Sequence, residues 1–243
     1  MLPLRFDADD PAGHLACDEM TLRWAESGRR GECLRVYEVH RPAVVLGVSS
    51  RCVRDVHTDA CRRDGVPVLR RASGGGTVLI GPGCLNYSVT LDTEARPALR
   101  GVHASYDWIV GRLAAALAPQ CPRCGRAGLS DLAVDGRKVG GSAQKRGRRF
   151  VLHHGTLLYG LRIADLSRYL REPEARPEYR GGRPHGAFVA NLPCGAAALC
   201  AALAVAFEAA RAQPPFEVRG DMRREVESLA EARYRNDEWT LRR

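Results

Sequence analysis

The stretch Leu132-Ala133-Val134-Asp135-Gly136-Arg137-Lys138-Val139-Gly140-Gly141-Ser142-Ala143-Gln144 folds back on itself. Asp-Gly is the dipeptide that best supplies the two positive φ angles of a two-residue hairpin turn, so Asp135-Gly136 joins two antiparallel strands. Lys138 then sits early on the returning strand. Working outward, residues 85 to 91 alternate Leu85, Tyr87, Val89 and Leu91 with Asn86, Ser88 and Thr90, the period-two pattern of a half-buried strand. Between these two sheet segments the period changes. Tyr106, Ile109, Val110, Leu113 and Leu117 fall at helical spacing over residues 104 to 118, and Pro119 stops the helix. The apolar run from Phe150 to Tyr159 reads as another strand.

Farther out, residues 12 to 26 read as a first helix, 34 to 39 and 43 to 48 as strands, and Pro67-Val68-Leu69 as a strand leading into a glycine run. Residues 171 to 187 are rich in Arg, Pro and Gly and form a loop, and 196 to 211 and 221 to 233 read as C-terminal helices. The expected architecture is mixed α/β, with helices packed on one main sheet. Nothing in the composition marks a second domain, so one globular unit is expected over residues 1–243. The 45% apolar content argues against disorder. No segment approaches the ~20 apolar residues of a membrane span, and no basic stretch followed by an apolar run opens the chain. A soluble, cytoplasmic protein is expected.

The nine cysteines read as reduced thiols, because a domain of this size needs no disulfide staples. Cys121 and Cys124 supply only half the ligands of a structural zinc site. The net charge of +9 suits an anionic partner. Nucleic acid is disfavoured even so: aromatics are only 6% and are not interleaved with the six cations between Arg137 and Arg149, so no stacking platform is visible. The cations are 35 arginines and two lysines, Lys138 and Lys145. Where coding bias favours arginine, a retained lysine marks a place needing a compact, rotatable ammonium, and Lys138 is the candidate. Lys145 belongs to a solvated basic run.

Three segments carry the chemistry: the loop Arg70-Arg71-Ala72-Ser73-Gly74-Gly75-Gly76-Thr77-Val78, the strand segment from Lys138 to Ala143, and His154-Gly155-Thr156-Leu157-Leu158. Consecutive glycines let backbone N–H groups approach an anion or line a narrow slot, although neither the P-loop nor the dinucleotide pattern is met. Together the segments resemble the R-R-x-S-G-G-G-x-V loop, K-x-x-G-S-A segment and H-G-T-L-L strand of the lipoate-protein ligase A and octanoyltransferase superfamily. Asp18-Glu19, Val45-Leu46-Gly47, Asn191-Leu192 and Glu238-Trp239 extend the resemblance over nearly the whole chain.

The resemblance implies a catalytic domain like those of biotin protein ligases and class II aminoacyl-tRNA synthetases. It implies attachment of lipoate or octanoate to a lysine of a lipoyl carrier domain, either a dehydrogenase E2 or a glycine-cleavage H-type protein. In a ligase, ATP and Mg²⁺ first convert the carboxylate to an acyl-adenylate. Lys138 would then stabilise the developing charge. Gly74, Gly75 and Gly76 would line the acyl and phosphate slot, Arg70 would contact phosphate or carboxylate, and Asp131 would hold Mg²⁺. Ser73, Thr77, Ser142, Ala143, His154, Gly155 and Thr156 would complete the binding site, with His153 pointing to the other face of its strand. Ser130 stands where such ligases usually carry Asn.

Two departures keep an alternative open. Many such ligases carry a C-terminal accessory domain, which this chain is expected to lack unless a partner supplies it. The segment Pro193-Cys194-Gly195 also matches the P-C-G of one octanoyltransferase type, in which Cys194 would take octanoyl from acyl carrier protein as a thioester without ATP or metal. In another branch the cysteine precedes the lysine segment, where Cys124 is nearest. The loop and H-G-T-L-L motifs favour the ligase. A silent homologue that binds acyl-adenylate or carrier without turnover is a third reading.

Overall fold

The computed structural model describes residues 1–174, 176–209 and 214–242. In chain order its elements are β1 (Leu2–Arg5), α1 (Pro11–Glu26), β2 (Cys33–Tyr37), β3 (Ala43–Leu46), α2 (Cys52–Asp55), α3 (Thr58–Arg63), β4 (Val68–Arg70), β5 (Val78–Ile80), β6 (Cys84–Asp92) and α4 (Val102–Leu117). There follow β7 (Cys124–Ala127), β8 (Asp131–Val134), β9 (Arg137–Arg146), β10 (Phe150–Leu158), α5 (Ala164–Tyr169), α6 (His185–Phe188), α7 (Ala196–Ala206), β11 (Phe216–Glu217), α8 (Gly220–Leu229) and α9 (Asp237–Thr240). A π-helical turn, Ala230–Tyr234, prolongs α8.

The expected main sheet is an eight-stranded mixed sheet ordered β11-β1-β2-β6-β10-β9-β8-β7. A second, three-stranded sheet, β4-β3-β5, was not expected. It gathers the short apolar segments near 44, 69 and 79, and its β4–β5 connection is the glycine loop. The helix expected over 196 to 211 ends at Ala206; residues 210 and 211 lie outside the described residues, as does residue 175 of the 171 to 187 loop. That loop holds the short helix α6. Among the described residues no helix is long and apolar enough to cross a membrane.

Helix α4 forms where the 3.6-residue period predicts, and buries Ile109, Val110, Leu113 and Leu117 against Leu85, Tyr87, Val89 and Leu91 of β6, with α7 alongside. Each such side chain contributes roughly 1.5–3 kcal/mol on burial. The other face of β6 differs from expectation. Asn86, Ser88 and Thr90 are buried too: α1 supplies partners to two of them, Thr21 meeting Thr90 at 2.8 Å and Asp18 accepting from Ser88 at 2.7 Å, and Asn86 accepts from Thr156 of β10 at 3.1 Å. Alternation marked the two faces correctly, but the polar face is an interior one.

The hairpin turn is present, with Asp135 at φ 50° and Gly136 at 69°. Pairing of β8 with β9 joins Ala133 to Lys138 but Leu132 to Gly140, leaving Val139 as an extra residue. This bulge changes which side chains share a face. Val139 and Gly140 both turn toward the α4 core, and Lys138 and Gly141 both turn away from it. The adjacent glycines inside a strand are the sequence trace of that irregularity.

Candidate active site

Lys138 reaches from the bulge to Asp131, with Nζ 2.7 Å from Oδ1. The stem crosses Gly141, where a Cβ would lie 2.8 Å from both Cε and Nζ, so only glycine admits the lysine in this position. The second oxygen of Asp131 accepts from the Tyr179 hydroxyl at 2.8 Å. Both carboxylate oxygens are therefore engaged, and among the described residues no cluster of three or more His, Cys, Asp or Glu is arranged to hold a metal. In this geometry Asp131 orients Lys138. The Lys138 side chain keeps 29% exposure and lines the cleft.

The glycine loop, residues 71–77, is clamped from within by Arg71. Its guanidinium donates to Ser73 Oγ at 3.0 Å, Val45 O at 3.2 Å and Gly76 O at 2.8 Å, and also to Gly74 O. Arg71 is 7% exposed, and no ion pair joins it to a carboxylate among the described residues. Burial pushes it down to about 10. A buried cation held only by neutral acceptors attracts an anion arriving in the cleft it lines. The loop also rests on Gly47, where a Cβ would fall 2.0 Å from Gly75 O.

Arg70, the residue expected to contact substrate, is fully buried and turns the other way. It donates to Thr240 O at 2.9 and 2.7 Å, to Gly47 O at 2.9 Å and to Ser50 O at 2.7 Å, and Trp239 donates back to Arg70 O at 2.8 Å. Arg70 thus ties the root of the loop to α9. Successive strand residues face opposite ways, and the pairing of Arg70 with Leu46 decides which arginine sees the cleft.

Behind the loop, His154 Nε2 lies 2.5 Å from Ser73 Oγ and His154 Nδ1 lies 3.2 Å from Asp18 Oδ2. Because Arg71 donates to Ser73, the Ser73 hydroxyl is free to donate to Nε2, and the Nδ1–H then points at Asp18. Asp18 also accepts from Arg35 at 2.9 Å and from Ser88. Burial pushes the Asp18 carboxyl up, but the His154 bond and the Arg35 charge outweigh it and hold the carboxyl below its usual range. Asp18, His154 and Ser73 resemble a nucleophilic triad in order, but Ser73 is buried and does not line the cleft. Their geometry suits positioning of the loop. His153 does point to the opposite face, where Tyr87 and Gln144 each lie 3.2 Å away and burial pushes it down to about 3.

The cleft has three lobes that share Gly76 and Thr77. An inner lobe of about 150 Å³ runs between the loop and β9–β10, lined by Lys138, Ser142, Ala143, His154, Gly155 and Thr156. Leu15, Tyr37, Asn86 and Tyr87 also line it; no local motif marked them, because they come from α1, β2 and β6. An apolar lobe of about 340 Å³ adjoins Lys138 on its other side, walled by Leu158, Leu161, Leu166, Leu170 and Phe188. An outer lobe of about 380 Å³ lies across the loop, with Arg51, Arg54 and Arg171.

Among the described residues no cysteine lines any lobe. Cys194 packs against the α4 core, and Cys124 belongs to that core. Burial pushes the Cys194 thiol up, and pushes Cys124 up to about 12, which disfavours the thiolate a nucleophile needs. The structure therefore brings neither proposed nucleophile to Lys138.

Residues 10–196 match the model of the lipoyl protein ligase A/B catalytic domain. The octanoyltransferase LipM of Exiguobacterium sp. is 33% identical over 178 residues, 63% of this chain and 64% of that one. The lipoate-protein ligase LplJ of Bacillus subtilis is 25% identical over 194 residues, 76% of this chain and 53% of that one. These matches thus span less than two thirds of either relative. A bi-partite lipoate protein ligase from Thermoplasma acidophilum superposes with a TM-score of 0.81 at 20% identity, over 99% of this chain and 95% of that one. With a family match covering most of its length and the loop, lysine and histidine segments assembled around one cleft, the chain belongs to the lipoyl protein ligase A/B catalytic domain family.

Proposed function

We propose that the protein is an ATP-dependent ligase that converts the carboxylate of lipoate or octanoate to an acyl-adenylate and passes the acyl group to a lysine of a lipoyl carrier domain. The observation that carries this reading is an inner lobe that presents two cations, Arg71 and Lys138, in a cleft with no thiol among the described residues. In this scheme the acyl chain enters the inner lobe and its carboxylate meets Arg71 and Lys138. A carboxylate oxygen attacks the α-phosphorus, and diphosphate leaves. The carrier amine then attacks the acyl carbon, AMP departs with the bonding electron pair, and the amine loses its proton. Lys138 is fixed by Asp131 before substrate arrives, so little reorganisation accompanies charge development. The apolar lobe suits the nucleoside. Magnesium would enter with the ATP phosphates, its usual companions.

The similarity to LipM favours a second reading, transfer of octanoyl from acyl carrier protein through a cysteine thioester. It requires Cys194 or Cys124 to leave the core. Purified protein mixed with carrier domain and either lipoate plus Mg-ATP or octanoyl-acyl carrier protein distinguishes the two by carrier mass, with Lys138→Ala as control. Modification that needs ATP supports the ligase. Modification without ATP, with a thioester on Cys194 or Cys124, establishes the transferase. No product in either mixture points to a missing accessory domain or a silent homologue, and adding a ligase accessory domain separates those two.

A further inference from the structure

We infer that the outer lobe is a binding site for inorganic diphosphate, the leaving group of adenylation; the inference rests on the ligase reading and assigns a part of the cleft which that reading leaves empty. In phosphoryl-type displacement the entering and leaving oxygens lie roughly in line with phosphorus between them. The new bond joins a carboxylate oxygen to the α-phosphorus. The bond from that phosphorus to the bridging oxygen breaks, and its electron pair leaves with the diphosphate.

A carboxylate entering from the inner lobe therefore sends the leaving group to the far side of the glycine loop. The outer lobe lies there: it shares Gly75, Gly76 and Thr77 with the inner lobe but touches neither Lys138 nor Asp131. The apolar lobe is walled mostly by leucines and Phe188, and its two cations, Lys138 and Arg180, are already paired with Asp131 and Glu172, so it offers poor solvation to a multiply charged anion.

The charges in the outer lobe fit that guest. Arg54 is paired with Glu174 at 3.1 Å, and Asp55 accepts from the Thr77 hydroxyl at 2.8 Å. Among the described residues the Arg51 guanidinium makes no hydrogen bond or ion pair, and the Arg171 guanidinium makes no ion pair and one hydrogen bond, to Val56 O at 3.3 Å. These two guanidiniums have planar forks available for phosphate oxygens. Neither is part of the core, since both side chains are exposed, so a fold requirement does not account for them.

The test compares the full chain with Arg51→Ala, Arg171→Ala and the double variant. Exchange of labelled diphosphate into ATP and inhibition by added diphosphate read the site in the first half-reaction. Carrier modification from preformed lipoyl-adenylate, which releases no diphosphate, reads the second. Each single variant should weaken diphosphate inhibition and slow exchange by about tenfold or more, whereas transfer from the adenylate keeps pace with the unaltered chain. Unchanged diphosphate inhibition, or equal loss in both half-reactions, would overturn the assignment. Calorimetry with magnesium diphosphate alone reads the site without turnover. If the unaltered chain shows no exchange, the ligase reading fails; absent binding, or equal binding to the unaltered chain and the double variant, overturns the diphosphate site by itself.

Discussion

Replacing Asp18 with asparagine keeps the shape of the side chain and removes the one carboxylate paired with Arg35 among the described residues. Arg35 is buried between strand and helix and pairs with Asp18 at 2.9 Å. Its other acceptors are the backbone oxygens of His14 and Phe6, at 3.3 and 3.2 Å, and the His14 ring, which burial and Arg35 itself push down to about 3 and so keep neutral. Arg35 Nε is already a buried donor without a partner. Breaking a buried ion pair from one side costs about 3–5 kcal/mol, because the surviving charge stays desolvated. For a domain of this size that lowers the melting temperature by roughly 10 °C. Urea unfolding of the unaltered chain, Asp18→Asn, Arg35→Met and the double variant measures the cost and the coupling. The double variant should recover much of the loss, since an apolar side chain of similar volume needs no counter-charge. Carrier modification should fall as well, as His154 loses its charged acceptor and the Ser73 end of the glycine loop loosens. A loss below about 1 kcal/mol, the scale of an exposed pair, would refute the claim that this network is dry.

Lys138→Ala should reduce ATP-dependent carrier modification by about 10²–10³-fold, the usual effect of removing one preorganised donor, with thermal stability nearly unchanged because the side chain is partly exposed. Gly47→Ala forces a Cβ against Gly75 O and should cost about 1–3 kcal/mol in urea unfolding while weakening lipoate binding, which isothermal calorimetry reads. Glu19, held down to about 2 against the push of burial by Tyr234, Arg23 and Lys145, contributes about 3 kcal/mol to stability. Its folded value lies below its ordinary one, so this contribution is present above about pH 4.5 and is lost as pH falls toward about 2; Glu19→Gln should flatten the acid limb of an unfolding profile. Cys194→Ser should leave ATP-dependent modification unchanged, and a large loss would revive the thioester route.

Local features were legible in the sequence and long-range facing was not. The Asp135-Gly136 turn and the α4 stripe depend on a few neighbouring residues, so dihedral preference and period suffice. Choosing Arg71 over Arg70 depends on how β4 pairs with β3, a strand more than 20 residues earlier. Both arginines look alike as sequence. The polar face of β6 reads as solvent-facing until Thr21 and Asp18 are known to cover it. Asp18 and His154 are 136 residues apart, and no periodicity links them. Among the lysines, the arginine-rich background did single out Lys138, whose place opposite Gly141 needs an unbranched, flexible stem.

The bond between Arg70 and the carbonyl of Thr240 spans 170 positions, and it has a consequence for synthesis. Chains emerge from the ribosome N-terminus first, so the strands bracketing the glycine loop are exposed long before α9 appears. A nascent chain can assemble its sheets while the root of that loop still lacks Thr240 and Trp239. Its ability to hold a substrate anion thus matures only after translation has passed Thr240.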